Sequence, residues 1–186
     1  MSVPLKRHYF TAAEYYRMAD AGILTPDDRV ELIEGEIVEM SPIGKRHASC
    51  VDRINRLLGR LASQSAIVRV QNPVRLSDFS EPQPDVTLLR PREDFYAAGH
   101  PGPADVLLIV EVADTSTAYD RGVKVSLYAR SGIPEVWLVD LTEDRIEIYA
   151  NPSGGEYRDV RLASRGESVS STAVAGLTFG VEEILG

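Results

Sequence analysis

The spacing of apolar positions along the chain changes several times, and each change predicts an element. Tyr15, Met18 and Ala19 form a short apolar stripe behind Thr11, a candidate N-cap with Glu14 three residues on. That is the capping-box pattern, which predicts a helix ending near Gly22. Arg29–Ile33 and Glu36–Met40 then read as two β-rich runs around Glu34-Gly35, a tight hairpin with Gly at positive φ. From Lys45 to Ser63 the period becomes helical, with Val51, Ile54, Leu57, Leu58 and Leu61 on one face. Strands follow at Ile67–Val70, Val74–Leu76 and Asp85–Leu89, and a loop spans Pro91–Pro103. Val106–Val112 is a near-continuous apolar run. A helix over Thr117–Arg130, with a capping box of Thr117 and Asp120, leads into a second apolar run at Glu135–Leu141. Strand, helix and strand in so short a stretch predict a parallel βαβ unit. Arg145–Ala150 and Glu156–Leu162 alternate and read as antiparallel strands. The expectation is one α/β domain over residues 1–186, with a mixed β-sheet flanked by helices and an N-terminal helix and hairpin.

Composition narrows the function classes. The 186 residues carry one cysteine, Cys50, so no disulfide forms within the chain, and three histidines, so Cys/His zinc patterns are absent. The first ten residues lack the apolar run of a signal peptide, and no stretch is long enough to span a membrane, so a cytoplasmic protein is expected. Cys50 and Trp137 read as core. Lys and Arg number 20 against 28 Asp and Glu, a net charge of −8, which argues against a protein that coats DNA. The charge is uneven, however. The helix from Lys45 carries Lys45, Arg46, Arg53, Arg56 and Arg60 against Asp52 alone, with Arg46, Arg53 and Arg60 on one face. That face is either solvated or tracks phosphates, and a nucleic-acid surface is the expectation taken forward.

Two acids stand out physically. Glu111 interrupts a buried strand, where a carboxylate is costly unless paired or bound to a cation. Asp85 opens the strand before it, and two carboxylates at neighbouring strand ends suit a hard cation such as Mg²⁺. Lys124 lies about two turns into the following helix, where it points either back over the sheet end or to water.

Together these residues resemble one family. Glu81-Pro82-Gln83-Pro84-Asp85-Val86, Ile109-Val110-Glu111-Val112-Ala113 and Arg121-Gly122-Val123-Lys124 with Leu127-Tyr128 carry the likeness, with Glu31–Glu36 and Glu135–Asp140 beside them. The family is Uma-two, restriction-endonuclease-like proteins of the PD-(D/E)XK nuclease superfamily, and the likeness runs from about Thr11 to Ala150. It implies a restriction-endonuclease-like core and a Mg²⁺- or Mn²⁺-dependent endodeoxyribonuclease. Asp85 and Glu111 would be the metal-binding acids and the Val112 carbonyl a further ligand. The lysine expected two residues after the acid is replaced by Ala113, and Lys124 takes its role from the helix. His47 stands near where the superfamily adds a residue from its first core helix, placed to meet a phosphate or water. Glu31 and Glu36 project to one side of the hairpin, so that one of them can approach the site. The implied partners are nucleic acid, DNA first, and a second copy in a homodimer, with Glu156–Leu162 as a pairing edge. Two alternatives stay open: a catalytically inactive nuclease fold that binds nucleic acid or a protein, and a hydrolase using Asp85 and Glu111 as an acid/base pair.

Overall fold

The computed structural model describes residues 6–62 and 65–186, without the side chains of 61 and 62. Leu61 and Ser63, the last residues of the expected helical stripe and span, therefore lie outside the described side chains and residues. Helix α1 (Ala12–Asp20) begins at the expected capping box. The Glu14 amide donates to Thr11 Oγ1 at 3.2 Å, and Glu14 Oε2 accepts the Thr11 amide at 2.9 Å. Strands β1 (Val30–Ile33) and β2 (Glu36–Glu39) form a separate antiparallel hairpin. Glu34 and Gly35 both have positive φ, 49° and 82°, the pattern of a type I′ turn. At Gly35 a side chain is also excluded sterically, because a Cβ would stand 2.6 Å from Tyr9 Cβ.

Helix α2 (Lys45–Ala62) buries Val51, Ile54, Leu57 and Leu58 as its stripe predicts, together with Cys50. The main sheet holds six strands in chain order. They are β3 (Ile67–Val70), β4 (Val86–Leu89), β5 (Val106–Ala113), β6 (Glu135–Asp140), β7 (Arg145–Ser153) and β8 (Glu156–Ser164). Only β5 and β6 are parallel, and helix α3 (117–130) crosses between them. It runs as one α-helical turn (Thr117–Tyr119), a π-helical segment (Asp120–Lys124) and a second α-helical stretch (Val125–Arg130). A second hairpin, β9 (Ser168–Ser170) with β10 (Thr178–Gly180), and the short helix α4 (Val181–Leu185) complete the chain.

The sheet divides the core in two. α2, α4 and the second hairpin pack on one face around Leu108, Val110 and Trp137. α3 and the first hairpin cover the other, around Ile109, Tyr128, Val136 and Leu138. With both faces covered, β5 and β6 read as continuous apolar runs rather than alternating ones. The result is the expected α/β architecture: a mixed sheet flanked by helices, with an N-terminal helix and hairpin.

Two expected details change. Val74 and Leu76 are buried, but the segment forms no strand of the sheet. Its amides turn to loop carbonyls, Val74 to Pro82 at 3.0 Å and Leu76 to Ser80 at 3.0 Å, because Asn72-Pro73 lifts the chain off β3 and folds it back on the Glu81–Pro84 limb. Helix α3 is capped at Ser116 rather than Thr117, and no side chain makes the capping bond. Instead the Ser116 hydroxyl donates to Asp120 Oδ2 at 2.5 Å.

Candidate active site

The sheet register brings the two acids together. Val86 faces Val110 across β4 and β5, so one residue further Asp85 stands opposite Glu111. The Asp85 amide points at Glu111 Oε2 at 3.4 Å. The Asp85 carboxylate is itself held on three sides. Oδ2 accepts the Val112 amide at 2.9 Å and lies 2.9 Å from His47 Nε2, while Oδ1 accepts from the Gln71 amide group at 3.3 Å. The Val112 main chain is thus turned toward Asp85, and His47 in the first turn of α2 reaches the same point.

Lys124 points back over the sheet end, not to water. Its Nζ lies 3.4 Å from Glu111 Oε1 and 3.1 Å from Glu31 Oε2, and the residue is buried. Lys124 thus reaches the sheet end from α3. Glu31 is the hairpin acid that enters the site: it also accepts the Gln83 amide at 3.1 Å. Glu36, on the same side, is exposed and meets Arg7 at 3.7 Å. Tyr128 closes the group by donating to Glu111 Oε1 at 2.5 Å.

Sequence reasoning gave Glu31 no settled role and did not single out Asp120, Tyr119 or Tyr128 as site residues. A signal was there: Asp120, Lys124 and Tyr128 are spaced by four, which stacks them on one helical face. The π-helical segment holding Asp120 and Lys124 is a local widening of the kind often found at functional sites.

These residues line a cleft of about 400 Å³ between the hairpin, the Ser41–Gly44 loop, the N-terminus of α2 and α3. Its charge is lopsided. Glu31, Asp85, Glu111 and Asp120 are buried acids, faced by Lys124 and by His47. Burial raises Glu111, against the pull of Lys124. Burial also raises Asp120, although Lys124 and the Ser116 hydroxyl oppose it. Burial works against the Lys124 ammonium, but Glu111 and Glu31 hold it charged, well above the ordinary lysine value. The hydrogen bond to Asp85 raises His47, with burial opposing. Tyr119 is pushed up to about 12 by burial and by Glu31.

Among the described residues no three His, Cys, Asp or Glu side chains are gathered as a ready-made metal cage. The donor set nevertheless fits Mg²⁺ or Mn²⁺. Two adjacent carboxylates and a main-chain carbonyl are hard oxygen ligands, and such ions keep several waters. His47 Nδ1 and the Tyr119 hydroxyl are buried and unpartnered, and both residues line the cleft, so polar groups remain for those waters or a phosphate.

The basic face of α2 divides. Arg53 is half-buried and structural: its Nε donates to the Ile184 carbonyl at 2.9 Å, and its guanidinium also meets the Leu185 carbonyl at the end of α4. Arg46 binds the Leu141 carbonyl and lies 3.5 Å from Asp114 and 3.6 Å from Asp144. Lys45, Arg56 and Arg60 are exposed. Arg56 and Arg60 lie about 14 and 20 Å along the helix from His47 at its ordinary rise.

The other family-like motifs are structural locks. Arg121 binds Glu147 with Nε at 3.0 Å and reaches Asp140 at 3.4 Å, pinning α3 to β6 and β7. Glu135, fully buried, accepts the Trp137 indole at 2.6 Å and the amides of Thr172 and Ala173 at 2.7 and 3.0 Å.

A family model described as "Uma2: Putative restriction endonuclease" matches residues 12–182. The chain belongs to this family. Its fold is also that of a solved structure described as "a putative nuclease belonging to DUF820 from Anabaena variabilis ATCC 29413". That match has a TM-score of 0.73 at 14% identity and covers 95% of this chain and 97% of the other. Among curated proteins, none matches. No helix among the described residues is long and apolar enough to cross a membrane.

Proposed function

We propose that the chain is a Mg²⁺- or Mn²⁺-dependent endonuclease that hydrolyses phosphodiester bonds, with DNA as the first substrate to test. The observation that carries this reading is Lys124: a lysine missing from the strand is supplied by α3, 3.4 Å from Glu111. Asp85, Glu111 and the Val112 carbonyl would hold the cation. When bound, it supplies positive charge that acidifies water and offsets the charge of the phosphodiester. The remaining work falls to the chain's own groups. Lys124, kept charged by two carboxylates, orients the attacking water and stabilises the negative charge that grows on phosphorus-bound oxygens. Glu31 holds the Lys124 ammonium at the sheet end. His47 fixes the rotation of the Asp85 carboxylate through Nε2. The alternative, an inactive nuclease fold, rests on the displaced lysine and on the net charge of −8; the reach of Lys124 to Glu111 speaks against the first of these and leaves the second.

The test is cleavage of varied DNA substrates in Mg²⁺ and Mn²⁺ by the wild-type chain, Asp85→Asn and Lys124→Ala. Metal-dependent cleavage lost in both variants supports the reading. Intact substrates across both metals with the wild type would reject it. The expected homodimer is supported by β8, an edge strand with Val160 and Leu162 exposed, and sedimentation of the wild type would show a single monomeric species if that part is wrong.

A further inference from the structure

Three features of the cleft bear on which form of nucleic acid it admits. First, the reacting groups are recessed. The side chains of Glu111 and Lys124 are 3% and 7% exposed and that of Asp85 12%. They are reached through a space of about 400 Å³, the scale of a small organic molecule. A B-form duplex is a stiff rod, with a persistence length of about 50 nm, and does not readily feed one phosphate into such a recess.

Second, part of the lip is apolar, interspersed with Arg29, Glu39 and Ser41. Val38, Met40, Pro42 and Ile43 form the wall on the hairpin side, Ile43 being 43% exposed, and Tyr119 stands on the α3 side. Such a lip suits the faces of unstacked bases, not the outside of a helix whose bases are paired.

Third, three cations that could track a duplex are committed elsewhere, and of the exposed ones on α2 only Lys45 lies at the cleft end, Arg56 and Arg60 standing about 14 and 20 Å along the helix from His47. Arg46 and Arg53 bind main-chain carbonyls, and the Arg29 guanidinium at the cleft donates to the Ser41 carbonyl at 3.0 Å. A duplex brings one charge per ~1.7 Å to a surface that must neutralise it, whereas a single strand is less densely charged. A chain of net charge −8 with an acid-lined cleft meets the second demand more easily than the first.

We propose that the cleft takes a single-stranded segment of nucleic acid, a nucleotide or two at a time, with its bases against the Met40–Ile43 lip and its phosphate on the recessed floor. This rests on the nuclease reading above and narrows its substrate to strands free of a partner: overhangs, gaps, loops or single-stranded polynucleotides.

The test uses the full chain and oligonucleotides of about 15 nucleotides, a length covering one binding site. Single-stranded DNA, single-stranded RNA and the DNA duplex of the same sequence are compared by fluorescence anisotropy in Ca²⁺ and by cleavage in Mg²⁺ and Mn²⁺. Binding and cleavage of a single strand at least about tenfold better than of the duplex support the proposal, and the two single-stranded arms separate DNA from RNA. Equal or better cleavage of the duplex overturns it while leaving the nuclease reading intact. Tight single-strand binding with no cleavage of any substrate keeps the proposal for binding and removes the nuclease. Neither binding nor cleavage removes both. Ile43→Ser, at an exposed position away from the carboxylates and Lys124, lowers single-strand affinity severalfold with duplex affinity and melting temperature unchanged. An unaltered single-strand affinity would overturn the role of the lip.

Discussion

Helix α3 carries two ionic clusters, one through Asp120 and Lys124 and the other through Arg121 between them. Lys124, with Asp120 one turn before it, faces the cleft with Glu31, Asp85 and Glu111. Arg121 reaches the sheet with Asp140, Arg145, Glu147 and Tyr149. In the second cluster two arginines meet two acids, and Asp140 is further satisfied by the amides of Thr142 and Glu143 at 3.0 and 3.1 Å. In the first, four acids meet one lysine and a histidine, a cleft lies beside them, and burial drives Glu111 and Asp120 toward their neutral forms. A buried charge set balanced within the chain holds the fold together. One left in surplus beside an opening is prepared for a charge that comes from outside.

The difference can be broken from either side. The largest effect is expected at the surplus cluster: Asp85→Asn lowers metal-dependent cleavage by at least ~10³-fold. The same variant moves unfolding stability by less than about 1 kcal/mol, because an amide oxygen still accepts the Val112 bond. Urea unfolding beside a rate assay checks both. Next, Mn²⁺ at about a hundred times its Kd stabilises the wild type by about 2.7 kcal/mol and Asp85→Asn hardly at all, whereas Arg121→Ala keeps the gain. Thermal melting with and without Mn²⁺ measures this.

At the balanced cluster the pattern reverses. Arg121→Ala costs about 2 kcal/mol, less than a fully buried pair because the guanidinium is partly exposed, and leaves Mn²⁺ binding in place. The smallest effect is in acid. Burial would raise Glu147, but hydrogen bonds from Arg121 and Tyr149 and the charges of Arg121 and Arg145 hold it below the ordinary carboxylate value. A group lowered in the folded state contributes stability that is complete above its unfolded value, near 4.5, and is lost as pH falls through the folded one. Glu147→Gln should therefore flatten the fall in stability below about pH 4.5 and leave the cleft's metal binding unchanged, read by urea unfolding across that range.

Short-range pattern was enough for much of this architecture. The Thr11–Glu14 box, the Glu34-Gly35 turn, the stripe of α2 and the parallel β5–α3–β6 unit each follow from residues within a few turns of one another. Glu111 was conspicuous because it breaks the rule for buried strands, and Asp85 because it opens the neighbouring strand directly after Pro84. What escaped depends on contacts between distant segments. Val74–Leu76 has a strand's composition, but its partners are the carbonyls of the returning limb and not a neighbouring strand. Arg53 looks like a solvent-facing cation until α4 supplies carbonyls from more than a hundred residues away. Residues beyond Leu162 carry little periodicity, yet Glu135 waits for their amides.

The placement of Lys124 on a helix rather than beside Glu111 on the strand bears on heat. The ammonium and the acids ride on different elements, and the distance between them is set by how α3 sits on the sheet. The Arg121 clasp, one turn before Lys124, holds that seating. Warming that loosens the clasp lets the lysine drift from the carboxylates while the six strands are still paired. Heat should therefore silence the site at a temperature below the one at which the sheet comes apart, and the interval between the two reports how firmly α3 is held.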